Sequence, residues 1–202
     1  MQAWPSMRLM VCGLVPVHEE EPIMSTPLFE GEGGAIVLPA PVLCDRLDGG
    51  HLVVNPPRAV WERSELTTSE LVSWSLLVAA TGAAMLQVLP VLRDGCVNYW
   101  EAGNWALNDR APPVGPKHVQ THRRVHQHVF GRSRRSRDPD WRWGESPRFP
   151  VLAELGEWSA RRERLTQEEC AEVVCAVRRL LRTRFRVPQG LSAEALACEE
   201  HQ

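Results

Sequence analysis

The chain has 202 residues, 44% hydrophobic and 24% charged, with a formal net charge of −2. That length suits one domain with a full core and tails, and the balance of charges excludes a globally basic nucleic-acid binder or an extended acidic chain. Six cysteines (Cys12, Cys44, Cys96, Cys170, Cys175, Cys198) include no C-x-x-C pair, which argues against a disulfide framework or zinc knuckle and for a reducing cytoplasmic setting.

The apolar run Leu9 to Val17 contains a proline and leads into His18-Glu19-Glu20-Glu21 rather than a small-residue cleavage site, so it does not read as a signal peptide. Residues 1–25 read as a disordered extension, with Met24 as a second candidate initiator, and no segment reads as long enough to span a bilayer. Short strands follow at Ala35 to Leu38, Val42 to Cys44 and His51 to Asn55, punctuated by Pro and Gly. Asp48-Gly49-Gly50 looks like a hairpin turn between the last two.

Thr67-x-x-Glu70 is a capping-box pattern, and apolar residues from Leu71 to Leu86 recur at helical spacing until Pro90. Gly95 to Asn108 has strand-like content with a bend at Gly103. A Pro/Gly loop then delivers the chain to "RRVHQHVFGR", Arg123 to Arg132, which reads as a half-buried strand with Arg124, His126 and His128 on one face and Val125 and Val129 on the other. Ser133 to Pro150 is irregular and rich in Arg, Trp and Pro. Thr166-x-x-Glu169 opens a second helix that ends near Arg186-Val187-Pro188. The pattern predicts an α+β fold, a mostly antiparallel sheet packed against two main helices, over residues 26–188, with 189–202 as a tail.

The order "GGHLVVNPPRAVW", long helix, "NYWEAGNWALN" and "RVHQHVFGR" resembles the histidine triad (HIT) superfamily of nucleotidyl hydrolases and transferases. The likeness spans about Gly34 to Arg132. It aligns His126 and His128 with the second and third histidines of the triad, while Arg124 stands at the first and Ala59 where a further histidine often follows the family's turn. The resemblance implies a HIT-like fold, attack by His126 on a nucleotide α-phosphate, a nucleotidyl-histidine intermediate, assistance from His128, no cofactor, and a homodimer. "EAGNW" looks like the "EAGQ" segment of dinucleoside polyphosphate hydrolases in that superfamily. On that basis Asn98 and Asn104 are candidate phosphate ligands and Asp45 a candidate ribose ligand, with Asp48 competing for that role.

The chemistry is consistent with the residues. Neutral imidazole is a good nucleophile and a good leaving group near neutral pH, and phosphoryl transfer needs positive charge where charge accumulates. From Lys117 to Arg148 nine Lys/Arg stand against three acids, so Arg124 and Arg132 are candidate phosphate ligands. A metal site at His51, His126 and His128 is the weaker reading, because no Cys or carboxylate stands at ligand spacing. The expected substrate is a small nucleotide, a phosphoanhydride such as a dinucleoside polyphosphate or a phosphoramidate. The alternatives are a nucleotide binder with little turnover and, less favoured, a nucleic-acid module that stacks bases on Trp141 and Trp143.

Overall fold

The computed structural model describes residues 25–101 and 103–185. The expected leader (1–25, apart from Ser25) and tail (189–202) lie outside the described residues. Five strands, β1 (Thr26–Gly31), β2 (Gly34–Leu38), β3 (His51–Asn55), β4 (Cys96–Glu101) and β5 (Gln127–Arg132), form one antiparallel sheet in the order β1-β2-β3-β5-β4. Four helices accompany it among the described residues: α1 (Thr68–Val88), α2 (Val119–His122), α3 (Leu155–Ala160) and α4 (Gln167–Thr183). The fold is α+β, with α1 and α4 the two main helices packed on the sheet.

Both main helices begin as their capping boxes require. The Thr67 hydroxyl accepts from the Glu70 amide at 3.3 Å while the Glu70 carboxylate takes the Thr67 amide at 2.8 Å, and Thr166 with Glu169 repeats the arrangement. Two otherwise orphaned amide protons are thereby satisfied at each start. Leu52, Val54 and Val129 turn from the sheet into the core against Trp74, Leu77, Ala84 and Met85 of α1 and Val173 and Val177 of α4. The Trp74 indole N–H donates to the Val54 carbonyl at 3.2 Å, so the largest side chain of α1 enters the core with its polar group paired. Gly82 admits the Tyr99 hydroxyl, which would lie 2.1 Å from a Cβ there.

Several expectations need correction. Helix α1 has 21 residues, an 18-residue stretch of which has a mean hydropathy of 1.7, and is long and apolar enough to cross a membrane by length and composition alone. Its burial between sheet and α4 explains that apolarity as core packing. Strand β1 lies outside the expected strands, since Pro27 and Glu30 break any apolar alternation; it pairs with β2 as an edge strand, where such residues belong. Val42 to Cys44 is not a strand. Its amides and carbonyls go to side chains instead, Val42 N–H to Ser159 Oγ at 2.9 Å and the Leu43 carbonyl to the Trp158 indole at 3.0 Å. Asp48-Gly49-Gly50 accordingly closes no hairpin. It ends a 3-10 turn over Arg46–Asp48, and Gly49 (φ 137°) and Gly50 (φ 78°) lead the chain into β3.

Strand β5 begins at Gln127, four residues later than expected, because α2 occupies Val119–His122 and residues 123–126 form an extended connection. The alternation still holds through that connection: Val125, Gln127 and Val129 are buried on the helix side, and His126, His128 and Phe130 lie on the other. There a smaller apolar cluster, Leu43, Cys44, Phe130, Trp141 and Trp158, covers the end of the sheet near the glycine turn. The rest of that face stays open as a cleft.

Candidate active site

The second face of the sheet carries a row of three imidazoles. Register places His51 opposite Phe130 and Val53 opposite His128 across β3 and β5, so all four share this face. His51 Nε2 lies 2.9 Å from His128 Nδ1, and His128 Nε2 lies 3.0 Å from His126 Nε2. Each end of the row meets the backbone. The Leu43 amide donates to His51 Nδ1 at 3.3 Å, and His126 Nδ1 lies 2.9 Å from the Arg124 carbonyl oxygen.

Those two ends fix the protons. An amide only donates and a carbonyl only accepts, so in the neutral row His51 carries its proton on Nε2 and gives it to His128 Nδ1. His128 then donates from Nε2 to His126 Nε2, and His126 donates from Nδ1 to the Arg124 carbonyl. The single lone pair of His126 Nε2, the one unprotonated nitrogen at the cleft end of the row, is the acceptor of that His128 bond.

Burial keeps the inner rings neutral. It holds His51 well below the usual imidazole range and pushes His128 down to about 3, the neighbouring histidines adding to the effect in each case. The Phe130 ring supplies much of that apolar contact, stacked 4.3 Å from His51 and parallel to His128 at 5.5 Å between centroids.

The cleft has a volume of about 570 Å³ and no carboxylate among its described lining residues. Val37, Leu43 and Val53, with a proline-rich segment after β2, line one half; Trp100, Trp105 and Phe149 line the other. The His122 and Arg124 side chains stand at its edge with His126. An acid-free pocket with one fixed cation and a polar row suits an anionic ligand carrying a flat apolar part.

Behind the row, on the helix side of β5, a paired network holds the connection in place. Arg63 donates to Gln127 Oε1 at 2.7 Å and pairs with Glu101, while Arg123 bridges Glu62 at 2.8 Å and Glu101 at 3.6 Å. Gln127, polar where an apolar residue is expected, is thus buried with its carbonyl oxygen satisfied.

Of the residues singled out from the sequence, His126, His128 and Arg124 come together in the cleft. The Arg124 guanidinium rests on the Gln120 and Arg123 carbonyls. Asp45 does not reach the cleft: it caps the Arg46–Asp48 turn and accepts the Glu163 amide at 2.7 Å. Asp48, its competitor, is buried and takes the Arg137 amide at 2.9 Å. Arg132 lies on the histidine face of β5 yet is buried beneath the 133–150 segment, donating to the Arg142 and Glu145 carbonyls and stacking over Trp141, which makes it a structural anchor. Asn98 faces the same way, opposite Phe130, but lies outside the cleft. Asn104 opens the 3-10 turn Asn104–Leu107, and its side chain lies outside what the structure describes.

The basic segment is likewise elsewhere. Arg134, Arg135 and Arg137 border a separate depression with Asp45 and Asp48, so of the nine basic residues between Lys117 and Arg148 only Arg124 lines the histidine cleft. Trp141 is buried and cannot stack on a base, which removes half of the proposed nucleic-acid platform; Trp143 remains exposed.

Sequence reasoning weighed His51 only as a metal ligand and passed over Asn55, Trp100 and Trp105. The period of two in "HLVVN" places His51, Val53 and Asn55 on one face, a signal that becomes decisive only once β3 is known to pair with β5. The described residues contain no cluster of His, Cys, Asp or Glu arranged to hold a metal ion. No protein-family model matches the chain, and no curated protein matches it.

Proposed function

We propose that this protein is a HIT-like nucleotide hydrolase or nucleotidyl transferase, in which His126 attacks the α-phosphorus of a nucleotide phosphoanhydride or phosphoramidate. The observation that carries this reading is the proton order of the histidine row. It leaves His126 Nε2 unprotonated beside an acid-free cleft, its lone pair held by the His128 Nε2–H that attack must displace, while its Nδ1 proton is held by the Arg124 carbonyl.

Attack forms a P–Nε2 bond and breaks the bond from phosphorus to the leaving group. The imidazole becomes cationic, and the Nδ1–H bond to the Arg124 carbonyl strengthens as it does so. His128 Nε2–H, released from His126 Nε2 when that lone pair is used, turns to a phosphoryl oxygen or to the departing oxygen. Water or another acceptor then displaces nucleotide from His126 and restores the neutral row. Positive charge at the phosphate comes from Arg124 and from the His126 ring as it reacts.

The test is turnover of diadenosine polyphosphates and adenosine 5′-phosphoramidate by wild type and His126→Ala. Product release by wild type, with at least about a thousandfold loss in the variant, is the expected result. Trapping of labelled nucleotide on His126 by acid-labile linkage identifies the intermediate. Nucleotide binding without product, in wild type, would replace the enzyme reading with that of a binding protein.

A further inference from the structure

The geometry points to Asn55 as a further catalytic residue, whose side-chain amide donates a hydrogen bond to a non-bridging oxygen of the phosphorus that His126 attacks. This rests on the nucleotidyl-transfer reading and adds to it a contact that the histidine row does not supply.

Strand register sets the placement. β3 and β5 pair His51 with Phe130, Val53 with His128 and Val54 with Gln127, so one step further along the same antiparallel pairing Asn55 falls beside His126. The period of two puts Asn55 on the face of His51 and Val53, and both Asn55 and His126 line the cleft. Residues opposed in this way stand about 5 Å apart at Cβ. Asn is the shorter of the two side chains, so a phosphoryl group carried on His126 Nε2 comes within reach of its amide.

The backbone of Asn55 is held from its other side. Ala35 of β2 pairs with it, and Gly34 (φ 110°) closes so tightly that a Cβ there would lie 2.1 Å from the Asn55 carbonyl oxygen. Pro56 follows and keeps residue 55 extended. The amide is thus presented from a fixed position, the condition under which a donor stabilises developing charge without reorganising. Asn55 is half-buried, and among the described residues no group hydrogen-bonds its amide, which leaves that amide to the cleft.

The other polar groups of the cleft leave this role open. Burial holds His51 and His128 neutral, and His128 has a single Nε2 proton to give. The Arg124 guanidinium is bonded to the Gln120 and Arg123 carbonyls. Two non-bridging oxygens carry the negative charge of the transferring phosphoryl group, so a second fixed donor is what the row lacks. Asn55 moves no proton: its N–H bond stays intact while the P–Nε2 bond forms and the leaving group departs with its electron pair.

The experiment takes adenosine 5′-phosphoramidate or diadenosine triphosphate, whichever wild type turns over, together with its Rp and Sp forms, in which sulfur replaces one non-bridging oxygen on every α-phosphorus. Wild type should turn over one form at least about tenfold faster than the other, because sulfur accepts poorly at the oxygen that Asn55 holds. Asn55→Ala should lower kcat by about a hundredfold with KM changed by less than about threefold, and should bring the ratio of the two forms towards one. Asn55→Asp, which keeps the shape and loses the donor, should lose at least as much. A kcat near that of wild type in Asn55→Ala, or a fall in kcat with the ratio unmoved, would overturn the contact while leaving nucleotidyl transfer intact. A wild-type ratio near one would do the same without any variant, so the test stands even if a variant fails to fold. Turnover of neither parent compound by wild type would overturn the enzymatic reading itself.

Discussion

His126 Nδ1 is held by the carbonyl of Arg124, a group that every residue type carries. An arginine at position 124 therefore preserves the contact that orients His126, the proposed nucleophile, and its side chain, bonded to the Gln120 and Arg123 carbonyls, would reach a phosphate only by giving those bonds up. Arg124→Ala should accordingly lower kcat/KM by no more than about a hundredfold and His126→Ala by at least about a thousandfold, measured side by side on one substrate. His51 and His128 make a further prediction in pH. Both are depressed below the ordinary imidazole value of 6.5, His128 to about 3, so the unfolded chain binds more protons than the folded one between those limits. Stability is then fully present above about pH 6.5 and falls as the pH drops towards 3. Denaturant titrations across that range should show a shallower loss for His51→Gln and for His128→Gln than for wild type; equal slopes would mean that neither ring is buried neutral. That His126 and His128 share one face was legible because their spacing is local. His51 was not, since 77 residues separate it from His128 and only strand pairing brings them together.

The elements divide along the same line. Helices α1 and α4 could be read from capping boxes and apolar spacing because both signals lie within one turn or two. Segments whose backbone is satisfied by distant groups could not: Val42 to Cys44 has the composition of a strand, but Ser159, His51 and Trp158 supply its partners from elsewhere in the chain. The glycine crossing beside β3 is another long-range feature. A Cβ on Gly131 would lie 2.0 Å from the Gly49 carbonyl oxygen, and one on Gly49 would lie 2.2 Å from the Gly131 carbonyl carbon. This approach lets Gly131 N–H reach the Gly50 carbonyl at 3.0 Å and holds the turn that sets His51 against β5. Gly131→Ala should cost about 3 kcal/mol or more, because backbone and not a flexible side chain must move. Gly156→Ala, with open space around its Cβ, is the matched control on α3 and should differ from wild type by less than about 1 kcal/mol in the same unfolding measurement. A comparable loss in both would show that the crossing is not a close one.

On the scale of the whole molecule the sheet has two edges, and they are guarded differently. Strand β1 carries Pro27, a register break between Pro27 and Phe29, and Glu30, all of which resist pairing with another chain. Strand β4 pairs with β5 in unbroken register from Cys96 to Glu101, contains no proline, and leaves Tyr99 half exposed. An unguarded edge with an apolar side chain is a place for a second copy to add its own β4 antiparallel, which extends the sheet across a two-fold axis. The homodimer that the resemblance implies would, if built on this edge, join the sheets through β4 with both histidine clefts opening on the same face. Sedimentation at micromolar concentration should give twice the 22.7 kDa chain mass for wild type. Asn98→Lys, which brings like charges together near the axis while projecting away from the helix-side core, should shift the mass towards the monomer with the fold retained by circular dichroism. A wild-type monomer would refute the dimer, and an Asn98→Lys dimer would place the association away from β4.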